Sequence, residues 1–498
     1  MQTVQPSSNP PLQPTYVLRG HNAQIHSVHF LRQNSRLLTG DADGWVVLWD
    51  VSAKRSKVVW KPHDGGILKV ADWEDERIIT HGRDNKLHVW QLRPSDEKDF
   101  STELPLEDAE TPRKQPWLLH SVTVNALNFC GFTMSKDIRQ AATHKHPAVG
   151  GKGEKNGAAA EVMEKTTLCQ GNKAGGLAAL FAGQEEGSVN AETRTEPPVG
   201  AQKSVSTTPG NELLDGNGNG NGEKTEQDKG ILVAVPGFDE GQIHIWSLPE
   251  EERVANIDAP TGVKCGMLMA LRLVYHAGAL HLLAGYESGY TSIFRQLPSS
   301  STWQNIYMQK SHTQPILSLC PAPSHGVYFT SGADSVIARH PLPPISHPTS
   351  ASAEAKTVTT KHAGQQSLTV RSDSLIFATA GWDGRIRVYS TRSMRELAVL
   401  KWHKEGCYAL ALADVRGAGA AAGMSEADGE GDVTVASDEH GGNAAGALVA
   451  KSQDAGGGGL VRRATTDRVA MRREERARST HWLAAGSKDG KVSLWDVY

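Results

Sequence analysis

This chain of 498 residues has few cysteines, no long apolar run and almost no net charge. Its five cysteines, Cys130, Cys169, Cys265, Cys320 and Cys407, form no CxxC pair and no closely spaced framework. That excludes a disulfide-stapled secreted scaffold and suits a reducing compartment. No stretch approaches the roughly 20 apolar residues of a membrane span, and the first thirty residues hold no run suited to a signal peptide. A soluble cytosolic or nuclear protein is expected. The formal charge of −3 sets up no global field toward nucleic acid or an anionic membrane. Missing too are the GxxxxGK[ST] phosphate loop, the GxSxG nucleophile elbow and the HExxH zinc motif. Hydrophobic residues make up 38%, modest for a fully globular chain, so part of it is expected to stay unfolded.

What the chain does have is repetition. The phrase "GDADGWVVLWDV" at residues 40–51 returns as "GSKDGKVSLWDVY" at 486–498. The shared template is a turn residue followed by alternating apolar positions that end in an aromatic six residues on. It runs Asp43–Trp49, Asp84–Trp90, Asp334–His340, Asp383–Tyr389 and Asp489–Trp495, with weaker copies at Glu240–Trp246 and Ser288–Phe294. Each copy reads as strand, tight turn, strand. Upstream of a further strand stands a histidine in every copy but the fourth: His21, His63, His120, His312, His362 and His403. The His-to-Asp interval is 22, 21, 22 and 21 residues for His21, His63, His312 and His362, as a shared supersecondary unit requires.

Seven units of four short strands predict an all-β fold, a seven-bladed propeller. One outer strand is missing at the C-terminal end, and "TYVLRG" at 15–20 is free to supply it, pairing with 491–497 and leaving no exposed edge. Residues 1–14 then read as a flexible N-terminus and 15–498 as one propeller. Two long stretches interrupt it, 133–229 in blade 3 and 414–480 in blade 7. Their composition, including "DGNGNGNGEKTEQDKG" and "DAGGGGL", reads as disorder. Shorter excursions occupy 93–115 and 343–355. With strands named a to d outward from the axis, the long insertions join a to b and the short ones c to d. All four then decorate one face. Two readings stand. The decorated face is a regulated docking surface, or it merely tolerates insertion while the opposite face, with short loops, and the rim bind partners. The second is favoured because low-complexity loops cost little free energy.

Histidines and aspartates spread one per blade do not converge on a point, as metal binding or general-base catalysis requires. The expected role is structural: histidine, turn aspartate, a strand threonine and the strand-c aromatic form a polar network in each blade. The candidates are His21, Thr39, Asp43 and Trp49 in blade 1, and His63, Thr80, Asp84 and Trp90 in blade 2. Blade 3 offers His120 and Trp246; blade 5 offers His312, Thr330 and Asp334. His362, Thr379, Asp383 and Tyr389 follow in blade 6, and His403, Asp489 and Trp495 in blade 7. Loss of His21 or Asp43 is expected to lower stability. No catalytic residue, metal, cofactor, small-molecule substrate, membrane or direct nucleic-acid contact is expected. "THKHP" at 143–147 lacks a second ligand pair and reads as incidental. The segment from Arg462 to Arg478 carries seven arginines against Asp467, Glu474 and Glu475, a net +4 over 17 residues. It reads first as a solvated mobile stretch, with nuclear import, phosphorylation at "RRAT" or nucleic-acid contact as alternatives.

"RGH" at 19–21, "LWD" at 48–50 and 494–496, and "VWQL" at 89–92 resemble WD-repeat proteins. Longer stretches are similar to one family within that class, the fungal ASTRA-associated protein 1 family. They include "PTYVLRGHNAQIHSVHFLRQNSRLLTGDADGWVVLWDV" at 14–51, "IITHGRDNKLHVWQLRP" at 78–94 and "PWLLHSVTVNALNFCGF" at 116–132. The resemblance implies a non-enzymatic nuclear scaffold with protein partners in a multi-subunit assembly. It also implies roles in chromatin regulation and in maturation of kinases related to phosphatidylinositol 3-kinase. A Gβ-like signalling scaffold, a ubiquitin-ligase substrate receptor and a propeller enzyme stand as the alternatives.

Overall fold

The runs "IHSVHFL", "RLLTGD" and "VVLWD" are rich in β-branched and aromatic residues, which suit a pleated, half-buried surface. They form strands a, b and c of the first blade, Ile25–Leu31, Arg36–Asp41 and Val46–Asp50, and Arg55–Trp60 is strand d. In the computed structural model this antiparallel unit occurs seven times, each a separate four-stranded sheet. The structure describes residues 12–108, 110–125, 130–137, 230–297, 302–343, 355–415 and 458–497. Blades 1 to 6 span 25–60, 67–123, 133–257, 268–310, 316–359 and 365–401. Blade 7 takes three strands from 407–496 and its outer one from the N-terminus. That closing strand, Tyr16–Arg19, runs antiparallel to Lys491–Asp496 with Tyr16 opposite Leu494 and Arg19 opposite Lys491, as the sequence predicts.

Blades pack through their faces. Ile25, Val28, Leu37 and Val47 of blade 1 share one buried cluster with Trp482, Ala484, Val492 and Leu494 of blade 7. Each fully buried large apolar side chain contributes about 1.5–3 kcal/mol relative to exposure. Around the axis, strand-a side chains stitch neighbouring blades together. Ser27 Oγ accepts the Val70 N–H at 3.0 Å, Thr133 Oγ1 that of Leu273 at 3.0 Å, and Ser318 Oγ that of Leu368 at 3.0 Å.

Three boundaries differ from the sequence reading. "VNALNF" was expected as strand a of blade 3, but that strand is Thr133–Lys136, paired with Ile231–Pro236. The stretch expected to begin at 133 therefore gives its first four residues to the propeller. Its remainder, with "THKHP", lies outside the described residues from 138 to 229. Second, the stretch expected as disordered over 414–480 ends in an α-helix, Gly458–Ser479. From Val461 onward it holds no glycine or proline and is rich in arginine, alanine and glutamate, all strong helix formers. Residues 1–11, 344–354 and 416–457 lie outside the described residues, and with them most of the expected flexible N-terminus.

The third difference concerns 93–115. Rather than decorating one face, this connection from strand c to strand d of blade 2 is laid along the outer edge of blade 1. The Val59 N–H donates to Ser101 O at 2.9 Å and the Ser56 hydroxyl to Thr102 O at 2.6 Å. Farther on, the Leu106 N–H donates to Gly20 O at 2.9 Å, and Asn22 Nδ2 to Pro105 O at 2.8 Å. The strap thus reaches the d–a segment on the face expected to stay bare.

Candidate functional site

In blade 1 the d–a segment brings His21 against the end of strand b. His21 Nε2 lies 2.7 Å from Thr39 Oγ1, and the Trp49 indole N–H donates to the same oxygen at 2.8 Å. The hydroxyl serves both only if it donates to histidine while accepting from tryptophan. His21 Nδ1 is 2.7 Å from a carboxylate, but it belongs to Asp41. Asp43, the expected partner, is exposed, and its backbone N–H donates to Asp41 Oδ1 at 3.0 Å. Asp41 sits opposite Ile25, the register position that Gly82, Gly332, Gly381 and Ser487 fill in other blades. An extra carboxylate at that position is buried beside the ring and takes the bond first.

Blades 2 and 5 join the expected residues. His63 Nδ1 lies 2.9 Å from Asp84 Oδ1 and Nε2 2.8 Å from Thr80 Oγ1, which also accepts the Trp90 indole N–H at 2.9 Å. His312 repeats this with Asp334 at 2.9 Å and Thr330 at 2.8 Å. There His340 replaces tryptophan, placing Nε2 3.0 Å from Thr330 Oγ1 while its ring stacks on Tyr328 with centroids 4.7 Å apart. Burial holds Asp84 and Asp334 up, yet hydrogen bonds from His63 and His312 outweigh it and leave both carboxyls below their ordinary pKa.

The other blades depart from the pattern. In blade 6, His362 is only half-buried, with Nδ1 3.8 Å from Asp383; the Thr379 hydroxyl donates to Gln365 Oε1 at 2.7 Å, and Arg387 Nη2 donates to Asp383 at 2.6 Å. Gln365 and Arg387, which sequence reasoning missed, take the buried places, and Tyr389 stacks on Phe377. In blade 7 strand b offers Ala485 where others have threonine, and its cross-strand neighbour Ser493 supplies the hydroxyl. Ser493 Oγ lies 2.7 Å from His403 Nε2 and accepts the Trp495 N–H at 2.8 Å. Asp489 bonds Lys491, not His403, whose Nδ1 has no hydrogen-bond partner among the described residues. In blade 3, His120 lies within strand d of blade 2, Trp117–Thr123, and its Nδ1 meets Glu251 at 2.7 Å. Trp246 is half-buried with its indole N–H unpartnered, so no such network forms there among the described residues.

The turn glycines couple these histidines to the preceding blade. Gly44 has φ +87°, and a Cβ there would meet the His63 carbonyl oxygen at 2.2 Å; Gly490, φ +70°, meets that of His21 at 2.4 Å. Both positions require glycine for conformation and for space.

Two further sites were not legible. Where the strap leaves blade 2, Glu97 is buried between Arg32 and Arg36, accepting from Arg36 Nε and Nη2, each at 2.9 Å, and from Arg32 Nη1. On the axis, strands a enclose a channel of about 430 Å³ lined by His26, Lys69, Arg272 and Asp414 among others. His29 Nε2 bonds Asp72 there at 2.5 Å. Burial and the nearby Arg272 lower the Lys69 pKa to about 7. Among the described residues no group of three or more His, Cys, Asp or Glu side chains is arranged to hold a metal, and no helix is long and apolar enough to cross a membrane.

A family profile described as WD domain, G-beta repeat, matches residues 12–50, 355–390 and 477–496. Among curated relatives, ASTRA-associated protein 1 of Aspergillus niger is 36% identical over 517 residues, covering 98% of both chains. The protein of that name from Verticillium alfalfae is 38% identical over 487 residues, 97% of this chain and 93% of its own. That from Schizosaccharomyces pombe is 28% identical over 423 residues, 80% and 93% respectively. A propeller closed by its own N-terminal strand, with WD-type networks in its blades and end-to-end likeness to these proteins, belongs to the ASTRA-associated protein 1 family.

Proposed function

We propose that this chain is a non-enzymatic scaffold subunit of an ASTRA-type complex. It acts in the nucleus in chromatin regulation and in maturation of kinases related to phosphatidylinositol 3-kinase. The observation that carries this reading is the likeness of 36–38% over nearly the whole chain to relatives named ASTRA-associated protein 1. The architecture supports it. Histidine, threonine and aspartate side chains are bonded to one another inside single blades, which leaves them as locks on the fold and not as reagents. A closed ring with two faces and a long rim is a rigid platform for proteins.

The test is affinity purification of the full chain from its own nuclei, followed by crosslinking mass spectrometry. Recovery of giant kinase-family proteins with co-chaperones is the expected result. Recovery of cullins alone, or of membrane receptors, supports the ligase-receptor or Gβ-like alternative and overturns the proposal. Crosslinks distributed over the two faces and the rim locate the docking surface.

A further inference from the structure

The axial channel holds two cations, neither of which has a counter-ion among the described residues. Lys69, in strand a of blade 2 (Ile67–Trp73), and Arg272, in strand a of blade 4 (Leu268–His276), line the same cavity from different blades. The Lys69 stem crosses Gly131 so closely that a Cβ there would meet Lys69 Cβ at 2.7 Å, and its ammonium stands 5.6 Å from the Phe132 ring centroid. That ring is the ammonium's one partner among the described residues; neither Lys69 nor Arg272 makes an ion pair or hydrogen bond with any of them. The nearby carboxylates are engaged elsewhere, Asp72 by His29 and Asp41 by His21, and Asp414 pairs with neither cation.

Arg272 is a standing positive charge and Lys69, lowered to about 7, carries part of one near neutrality. In a cavity with low-dielectric walls they concentrate a positive potential that attracts anions, and a bound anion favours the charged form of Lys69. Other lining groups suit an oxyanion. Thr369 contributes a hydroxyl, while Cys130 is a buried neutral thiol whose pKa burial raises to about 12. A volume of about 430 Å³ lies within the range of roughly 300–1,000 Å³ typical of small-molecule sites.

We propose that the central channel is an anion-binding site, in which Lys69 and Arg272 together grip a small tetrahedral oxyanion of the phosphate or sulfate class. This goes beyond the scaffold reading and departs from the sequence-based expectation of no small ligand. The anion acts as a pin: it bridges blades 2 and 4 across the axis and stabilises the ring by mass action.

The full chain is titrated calorimetrically at constant ionic strength with inorganic phosphate, sulfate and inositol hexakisphosphate, chloride serving as reference. One saturable site per chain is expected, with a matching rise in melting temperature. Lys69→Met and Arg272→Met should each weaken binding about tenfold or more, the loss of one charged hydrogen-bonding partner. Lys69→Arg should retain it, and Arg468→Met on the exposed helix should leave it unchanged. Preference for the inositol phosphate over inorganic phosphate identifies the source as a larger polyphosphate; equal affinity identifies a free simple anion. No saturation of the native chain below about 10 mM of any probe overturns the proposal whether or not the variants fold. So does binding unaffected by Lys69→Met and Arg272→Met, or abolished by Arg468→Met.

Discussion

His21 selects Asp41 because the competitor, Asp43, is one turn residue too far into solvent. Asp41 is wholly buried, its Oδ2 is 2.7 Å from the ring, and its Oδ1 already accepts the N–H groups of Asp43 and Trp45. Removing the ring leaves a buried carboxylate without its main side-chain partner, which costs on the order of 3–5 kcal/mol. His21→Ala should therefore lower the unfolding free energy measured by urea titration by that amount. Asp43→Ala should stay within about 0.5 kcal/mol, as surface substitutions do. Equal losses from the two would restore the partnership expected from spacing alone. Spacing placed the histidine and the turn correctly but could not rank two carboxylates two residues apart, since rank depends on which one the strand-b register buries.

At the scale of elements, the strap over 93–116 and the helix Gly458–Ser479 are the ordered parts that composition hid. The stretch 93–115 reads only as a short excursion between strands, yet Glu97 within it is 6% exposed and joins Arg32 and Arg36 of blade 1. Only the folded ring brings a blade 2 connection beside the a–b turn of blade 1. Glu97→Ala removes the carboxylate shared by buried Arg32 and half-buried Arg36 and should cost about 3 kcal/mol. Hydrogen exchange should then show Val59 and Leu106, whose amides the strap engages, losing protection before the blade cores. Uniform loss across all blades would mean the strap has no separate role. The helix is anchored by its last turn, where Ala477 is buried and its carbonyl accepts the Trp482 indole N–H at 2.8 Å. Its preceding residues, Arg468 to Arg473, are exposed.

For the whole molecule, buried histidines set the response to acid. Burial lowers His81 and His340 to about 3, and His88, His281 and His403 to about 4, from an ordinary 6.5. Between those values the unfolded chain binds more protons, so stability rises with pH there. Their contribution is complete above about 6.5 and is lost as pH falls toward 4; the depressed Asp84 and Asp334 extend the loss below 3.8. Urea midpoints measured from pH 7.5 to 4.5 should fall steeply from about 6.5 downward. His81→Leu, which replaces a wholly buried ring with two unpartnered nitrogens, should flatten that slope. A level profile in the native chain would contradict the assignment of these histidines as buried and neutral.

The number of blades, the turn positions and the closing seam were legible in the residues because each rests on local chemistry. Alternation with period two, a turn aspartate or glycine, and a spare strand ahead of blade 1 with a last blade one strand short need only neighbours in sequence. What the tertiary structure alone decided is partnership. It drew from Ser493 the hydroxyl that Ala485 lacks, moved His120 into an outer strand, set Gln365 and Arg387 in place of His362, and brought Lys69 and Arg272 to one channel. Those outcomes depend on register and on packing between residues far apart in the chain, where a shift of one position turns a side chain to the other face.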